Sequence, residues 1–126
     1  MEKKILIVDD EAHIRMLIEQ TLEDLEEEEV SFFTAENGED ALALISKEKP
    51  QLVFLDVMMP KLNGMEVCRR VKKELLLDDV YIVLLTAKGQ EIDRLKGQEV
   101  GADVYMTKPF DPETLLDKAR SVLGLV

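Results

Sequence analysis

The sequence predicts an α/β fold built on a parallel sheet, and three observations lead there. Five short apolar runs recur at 5–8, 30–35, 52–56, 81–85 and 104–107. Between them, and after the last, lie stretches whose apolar residues keep helical spacing. The central run, LVFLD, is apolar without a break until Asp56, as in a strand buried on both faces of a sheet. Five strands alternating with five helices require a helix at each parallel crossover, which is right-handed.

The first strand, ILIV, is rich in β-branched residues and runs into Asp9 and Asp10. Ile14, Leu17, Ile18, Thr21, Leu22 and Leu25 then form one inward helical stripe. In the run 23–29, EDLEEEE, six of seven residues are acidic; such a run repels itself and reads as a solvated helix end or loop. After the second strand, Asn37 and Gly38 turn the chain into a helix with Ala41, Leu42 and Ile45 inward. Pro50 marks the loop before the central strand. Asn63 is placed to cap a third helix carrying Met65, Cys68, Val71 and Leu75 inward, which makes Cys68 a packing residue and not a nucleophile. The fourth helix, over 91–100, is only weakly amphipathic, and Gly97 within it costs about 1 kcal/mol relative to alanine. Asp111, Pro112 and Glu113 supply a cap, a proline in the first turn and an acid near the positive helix end; Leu115, Leu116, Ala119, Val122 and Leu123 complete the closing helix.

Bulk properties narrow the functional classes. The 126 residues suffice for one domain, 1–126, with no repeat, low-complexity linker or second domain. With 27 acids against 16 bases the net charge is −11, which disfavours direct binding to nucleic acid or to an anionic membrane. A single cysteine excludes an intramolecular disulfide, and no cysteine or histidine cluster offers a zinc site. The amino terminus has only a short apolar run before acids, unlike a signal peptide or membrane span, so a cytoplasmic location is expected.

The chemistry collects at the carboxyl ends of the strands, where ligands bind in an open parallel sheet. Asp9 and Asp10 follow the first strand, Asp56 closes the third, Thr86 the fourth, and Lys108 follows the fifth. Three carboxylates brought together repel by roughly 4 kcal/mol per pair at 4 Å and an effective dielectric near 20. A hard cation relieves that cost, and an oxygen-only donor set suits Mg²⁺ or Mn²⁺ better than zinc. A cation, an ammonium and a hydroxyl converging on one carboxylate form a receptor for a phosphoryl group, with a carboxylate oxygen as nucleophile.

Four segments together resemble the receiver domain of bacterial two-component response regulators: ILIVDDE, LVFLDVMMPKLNG, LLTAK and GADVYMTKPF. The resemblance covers essentially the whole chain. It implies a flavodoxin-like, doubly wound five-stranded sheet of order 2-1-3-4-5, with Asp56 as phosphoacceptor. It implies that Asp9, Asp10, Asp56 and the backbone carbonyl of Met58 hold Mg²⁺ or Mn²⁺, and that Thr86 and Lys108 contact the phosphoryl oxygens. It also implies that Thr86 and Tyr105 form the switch and that the Lys108-Pro109 bond is cis. A sensor histidine kinase or phosphotransfer protein would be the donor. A downstream effector, or a homodimer of the activated chain, would be met through the fourth helix, fifth strand and fifth helix. Such a domain is no enzyme in the ordinary sense, because it catalyses only its own phosphorylation and dephosphorylation.

Two positions depart from or vary within that pattern. Asn63 stands where the family often has aspartate, and both residues cap helices. Met58 and Lys88 lie two residues beyond Asp56 and Thr86, at the positions that tune hydrolysis of the acyl phosphate. Met58 has no polar group to hold an attacking water, so slow self-dephosphorylation is expected. Alternative readings fit less well. An Mg²⁺-dependent aspartyl phosphatase typically has a second acid where Met58 stands and needs a cap to shape a substrate pocket. A flavodoxin-like cofactor carrier needs a phosphate-cradling first loop, which Asp9, Asp10 and Glu11 would repel. A degenerate receiver serving only as a docking module would lack Asp56 or Lys108.

Overall fold

The computed structural model describes residues 3–59, 62–87 and 99–125. Five parallel strands form one sheet, β1 (Lys3–Val8), β2 (Val30–Ala35), β3 (Leu52–Asp56), β4 (Tyr81–Ala87) and β5 (Val104–Lys108), in the order β2-β1-β3-β4-β5. The helices are α1 (Ala12–Leu22), α2 (Gly38–Glu48), α3 (Gly64–Arg69) and a closing helix α4 (Pro112–Leu123). Of the additional helix expected over 91–100, residues 91–98 lie outside the described residues, while Glu99 and Val100 are helical.

Strand alternation divides the apolar residues into two cores. Ile5, Ile7, Leu52, Phe54, Val83 and Leu85 point to one face, where Ile18 and Leu22 of α1 and Leu115 and Ala119 of α4 cover them. Leu6, Val8, Val53, Leu55, Ile82 and Leu84 point to the other, against Ala41 and Ile45 of α2 and Val67 and Cys68 of α3. Every residue of β3 is buried, as its unbroken apolar sequence requires. The edge strand β5 is instead only partly buried along most of its length.

Local sequence explains the helix boundaries. The side chains of Asn37 and Asn63 accept from the backbone N–H groups of Asp40 and Glu66, at 2.9 and 3.0 Å, and so cap α2 and α3. Asp111 caps α4 before Pro112, and Gly124 ends that helix at φ +71°. The acidic run forms a 3₁₀ helix, Glu23–Glu28, that buries Leu25 and leaves most of its acids in solvent. Two residues expected on inward stripes face outward. Leu17 is 44% exposed, because the α1 seam follows Ile18 and Leu22 and leaves Leu17 on its rim. Leu75 is also 44% exposed, because α3 widens into a π-helical turn, Arg70–Glu74, that rotates the following residues out of register. Leu75 N–H accordingly donates five residues back to Arg70, at 2.8 Å.

Candidate functional site

The carboxyl ends of the strands bring distant residues to one edge. Val8 pairs with Leu55, so the next residues, Asp9 and Asp56, emerge side by side. Alternation continues the parity of Ile5 and Ile7 to Asp9, of Leu52 and Phe54 to Asp56, and of Val104 and Met106 to Lys108. All three side chains therefore stand on one side of the sheet. Thr86 follows Ile82 and Leu84 on the opposite side, which it shares with Tyr105, the register partner of Leu84.

A single ammonium joins the two acids. Lys108 Nζ donates to Asp9 Oδ2 at 2.6 Å and to Asp56 Oδ1 at 3.1 Å. Asp9 is fully buried, and Asp56 is only 5% exposed. Two buried carboxylates side by side need such a countercharge. Burial first, and the charge of Asp9 second, push the Asp56 carboxyl up to about 6, against the opposing effects of Lys108 and the backbone N–H of Met58. Burial also opposes the charge on Lys108, but its hydrogen bond to Asp9 and the charges of Asp56 and Asp9 outweigh that cost and hold the ammonium above the usual lysine range.

Asp9 is fixed from several directions. Its Oδ1 accepts from Glu11 N–H at 2.9 Å, its carbonyl accepts from Arg15 Nη1 at 2.6 Å, and its own N–H donates to Ala35 at 3.2 Å. Asp10 and Glu11 are exposed beside it, and one carboxylate oxygen from each of the three lies within 4.8 Å of the others. A buried acid with two solvent-facing ones, all oxygen donors, fits a hard divalent cation with room for water. The turn after Asp56 is equally constrained. Val57 N–H donates to Leu85 at 3.0 Å and Gly64 N–H donates back to Val57 at 3.0 Å. A Cβ on Gly64 would stand 2.2 Å from the Asp56 carbonyl oxygen, so only glycine lets α3 start so close behind the acid.

The structure thus brings together Asp9, Asp10, Asp56 and Lys108; Thr86 is buried on β4, one residue past Leu85, the register partner of Asp56. Met58 is 62% exposed at the mouth of the site. Tyr105 is half-buried, its hydroxyl oxygen shielded, and packs against the core on the Thr86 side. The Lys108-Pro109 bond is cis. Lys88 lies outside the described residues. His13 is a surface residue 3.3 Å from Glu11, remote in role from any nucleophile. Burial pushes the Cys68 thiol up to about 12, which makes it inert. Sequence reasoning overlooked Arg15 and Lys72, and took Glu11 only as an acid that repels phosphate, not as a third donor beside Asp9 and Asp10. Glu11 was legible as the third acid of the DDE run, and Lys72 as a lysine four residues beyond Cys68 on an apolar stripe. Nothing local marked Arg15.

Comparison with known proteins agrees with this geometry. Residues 5–120 match the family model described as "Response regulator receiver domain". The chain is 51% identical over 122 residues to a probable transcriptional regulator, ycf27, of Porphyra purpurea, covering 97% of this chain and 48% of that protein. It is 45% identical over 123 residues to the alkaline phosphatase synthesis transcriptional regulatory protein PhoP of Bacillus subtilis, covering 98% and 49%. The chain therefore spans about half the length of these relatives. A putative response regulator from Chloroflexus aurantiacus superposes with a TM-score of 0.87 at 31% identity, covering 98% of this chain and 99% of that one. The chemotaxis protein CheY4 of Vibrio cholerae superposes with a TM-score of 0.83 at 33% identity, over 97% and 99%. With the sheet order, the acid edge and the bridging lysine already in place, these likenesses make the chain a member of the response regulator receiver domain family.

Proposed function

We propose that Asp56 accepts a phosphoryl group from the phosphohistidine of a sensor kinase or phosphotransfer protein. The observation that carries this reading is the ammonium of Lys108 held between buried Asp9 and Asp56. A carboxylate oxygen of Asp56 attacks phosphorus, the bond to the donor imidazole breaks, and the imidazole leaves with the electron pair. Lys108 and the Thr86 hydroxyl receive the phosphoryl oxygens that arrive. Asp9 and Asp10, with the Met58 carbonyl and Asp56, are the residues to hold Mg²⁺, or Mn²⁺ in its place. Bound there, the ion supplies charge neutralisation for the phosphoryl group.

The acyl phosphate adds nearly two negative charges at Asp56. Thr86 and Lys108 move toward it, and Tyr105, on the same side of the sheet as Thr86, fills the vacated space. Output passes through the surface of β5 and α4, together with the helix expected from the sequence over 91–100, toward an effector or a second activated copy. Moving such a switch from 1:99 to 99:1 takes about 5.5 kcal/mol of differential interaction, within reach of several charge-assisted hydrogen bonds. The 126 residues act as one receiver unit, in the cytoplasm where the kinase domain would meet it, with no enzymatic turnover beyond its own phosphorylation and dephosphorylation. Among the described residues no helix is long and apolar enough to cross a membrane.

Incubation with acetyl phosphate and Mg²⁺, followed by intact mass measurement, is the test. One phosphoryl group should appear on the wild-type chain and none on Asp56→Asn. Turnover of external phosphoesters without a stable adduct would point to a phosphatase instead. Met58 and Lys88 are assigned to the lifetime of the adduct. Met58→Asn with Lys88→Glu should shorten it, and an unchanged decay rate would remove that assignment.

A further inference from the structure

Lys72 is the buried lysine of the described residues, 8% exposed and far from the phosphoacceptor edge. Its ammonium sits at the amino-terminal ends of β4 and β5. It donates to the Val80 carbonyl at 2.6 Å and pairs with Asp103 Oδ2 at 2.9 Å. The same Asp103 oxygen accepts from Ile82 N–H at 2.8 Å, while Asp103 N–H donates to the Ile82 carbonyl at 3.0 Å. Asp103 therefore grips one residue of β4 through both its backbone and its side chain. The π-helical turn of α3 carries the lysine, and the chain passes it at Gly101, φ +91°, where an added Cβ would stand 3.3 Å from Lys72 Cβ.

The position of this clamp matters because β5 is an edge strand with one neighbour and only partly buried faces. Register in a parallel pair is weakly specified when neither face of a strand is deeply buried. A slip of one residue would displace Lys108 by about 3.3 Å and turn it to the other side of the sheet. The observed register pairs Val83 with Val104 and Ala87 with Lys108, so it begins one step beyond the clamp. Asp103 and Lys108 are then about 17 Å apart along the strand.

We infer that Asp103, held by Lys72, is a positioning residue for phosphoryl transfer: it sets the register of β5 and thereby aims the Lys108 ammonium at Asp56. The inference rests on the role proposed for Lys108, and its test separates the two. Cross-strand NOEs and amide hydrogen exchange of β5 report register without reference to activity. In Asp103→Ala the β4–β5 NOEs should weaken and the β5 amides exchange faster than in the wild type. Phosphorylation by acetyl phosphate should fall about tenfold or more, the size of effect that a misplaced contact group produces. Mg²⁺ affinity, followed by the Asp10 and Glu11 amide shifts, should not fall, because the metal-holding acids stand on β1 and β3 and lose only the competing ammonium of Lys108. Asp103→Asn keeps an acceptor for Ile82 N–H and should recover most of the rate. Lys108→Ala should cost little more in the Asp103→Ala background than that variant alone does, because both act through one ammonium. Wild-type exchange and NOEs in Asp103→Ala would overturn the inference, as would equal losses in metal affinity and phosphorylation. Should Asp103→Ala not fold, Lys72→Gln serves in its place, with the same measurements and the same expected and contrary results. A wild-type chain that takes no phosphate while its β5 clamp behaves as described would instead sink the reading of Lys108.

Discussion

At Asp56 a carboxyl group sits at the end of a fully buried strand, and its protonation is coupled to folding. Burial first, and Asp9 second, raise its pKa from 3.8 to about 6. An acid with a higher pKa folded than unfolded binds more protons in the folded state between those values. It therefore favours the fold at low pH and weakens it as pH rises through that window. In EDTA-containing buffer, Asp56→Asn should be more stable than the wild type by about 1–3 kcal/mol at pH 7, with the gap closing near pH 4. Urea denaturation at a series of pH values checks this. The acids were legible in the sequence because each follows an apolar run. The link from Lys108 to Asp9 was not, since nothing local relates residues 99 apart and only sheet order joins them. Lys72 was hidden for another reason: a lysine on an inward stripe is normally read as solvated, and its partner Asp103 lies in a different element.

Among the elements, β2 and β3 begin and end where the apolar runs begin and end, while β1, β4 and β5 extend one or two residues farther. Both asparagine caps were legible from side-chain chemistry. The π-helical turn was not, and it is what exposes Leu75, because a widened turn depends on how α3 meets the start of β4. The start of α3 is set by contact with the site itself. A methyl group at Gly64 would also stand 2.9 Å from the Asp56 carbonyl carbon and 3.0 Å from Val57 Cα. Backbone is what it would strike, so relief requires the turn after Asp56 to move. Gly64→Ala should cost about 2–3 kcal/mol in urea denaturation and slow phosphorylation by acetyl phosphate. A variant as stable and as reactive as the wild type would show that the turn is pliable.

For the molecule as a whole, charge works against compactness. A net charge of −11 is spread over a surface whose 3₁₀ segment alone carries several exposed acids. Raising NaCl from about 20 to about 200 mM should therefore raise Tm by a few degrees, as screening weakens self-repulsion beyond a Debye length. Differential scanning calorimetry reads the sign directly. The layered architecture was foreseeable from alternating patterns, whereas the chemical edge appears only once all five strands are docked. The 99-residue separation of Lys108 from Asp9 has a temporal meaning as well. During synthesis the ribosome delivers the acid of β3 about fifty residues before its basic neighbour, roughly 3–10 seconds at bacterial elongation speeds. A nascent chain halted between the two would display the carboxylate of Asp56 without its ammonium partner, so the charge-paired edge is complete only once β5 has emerged.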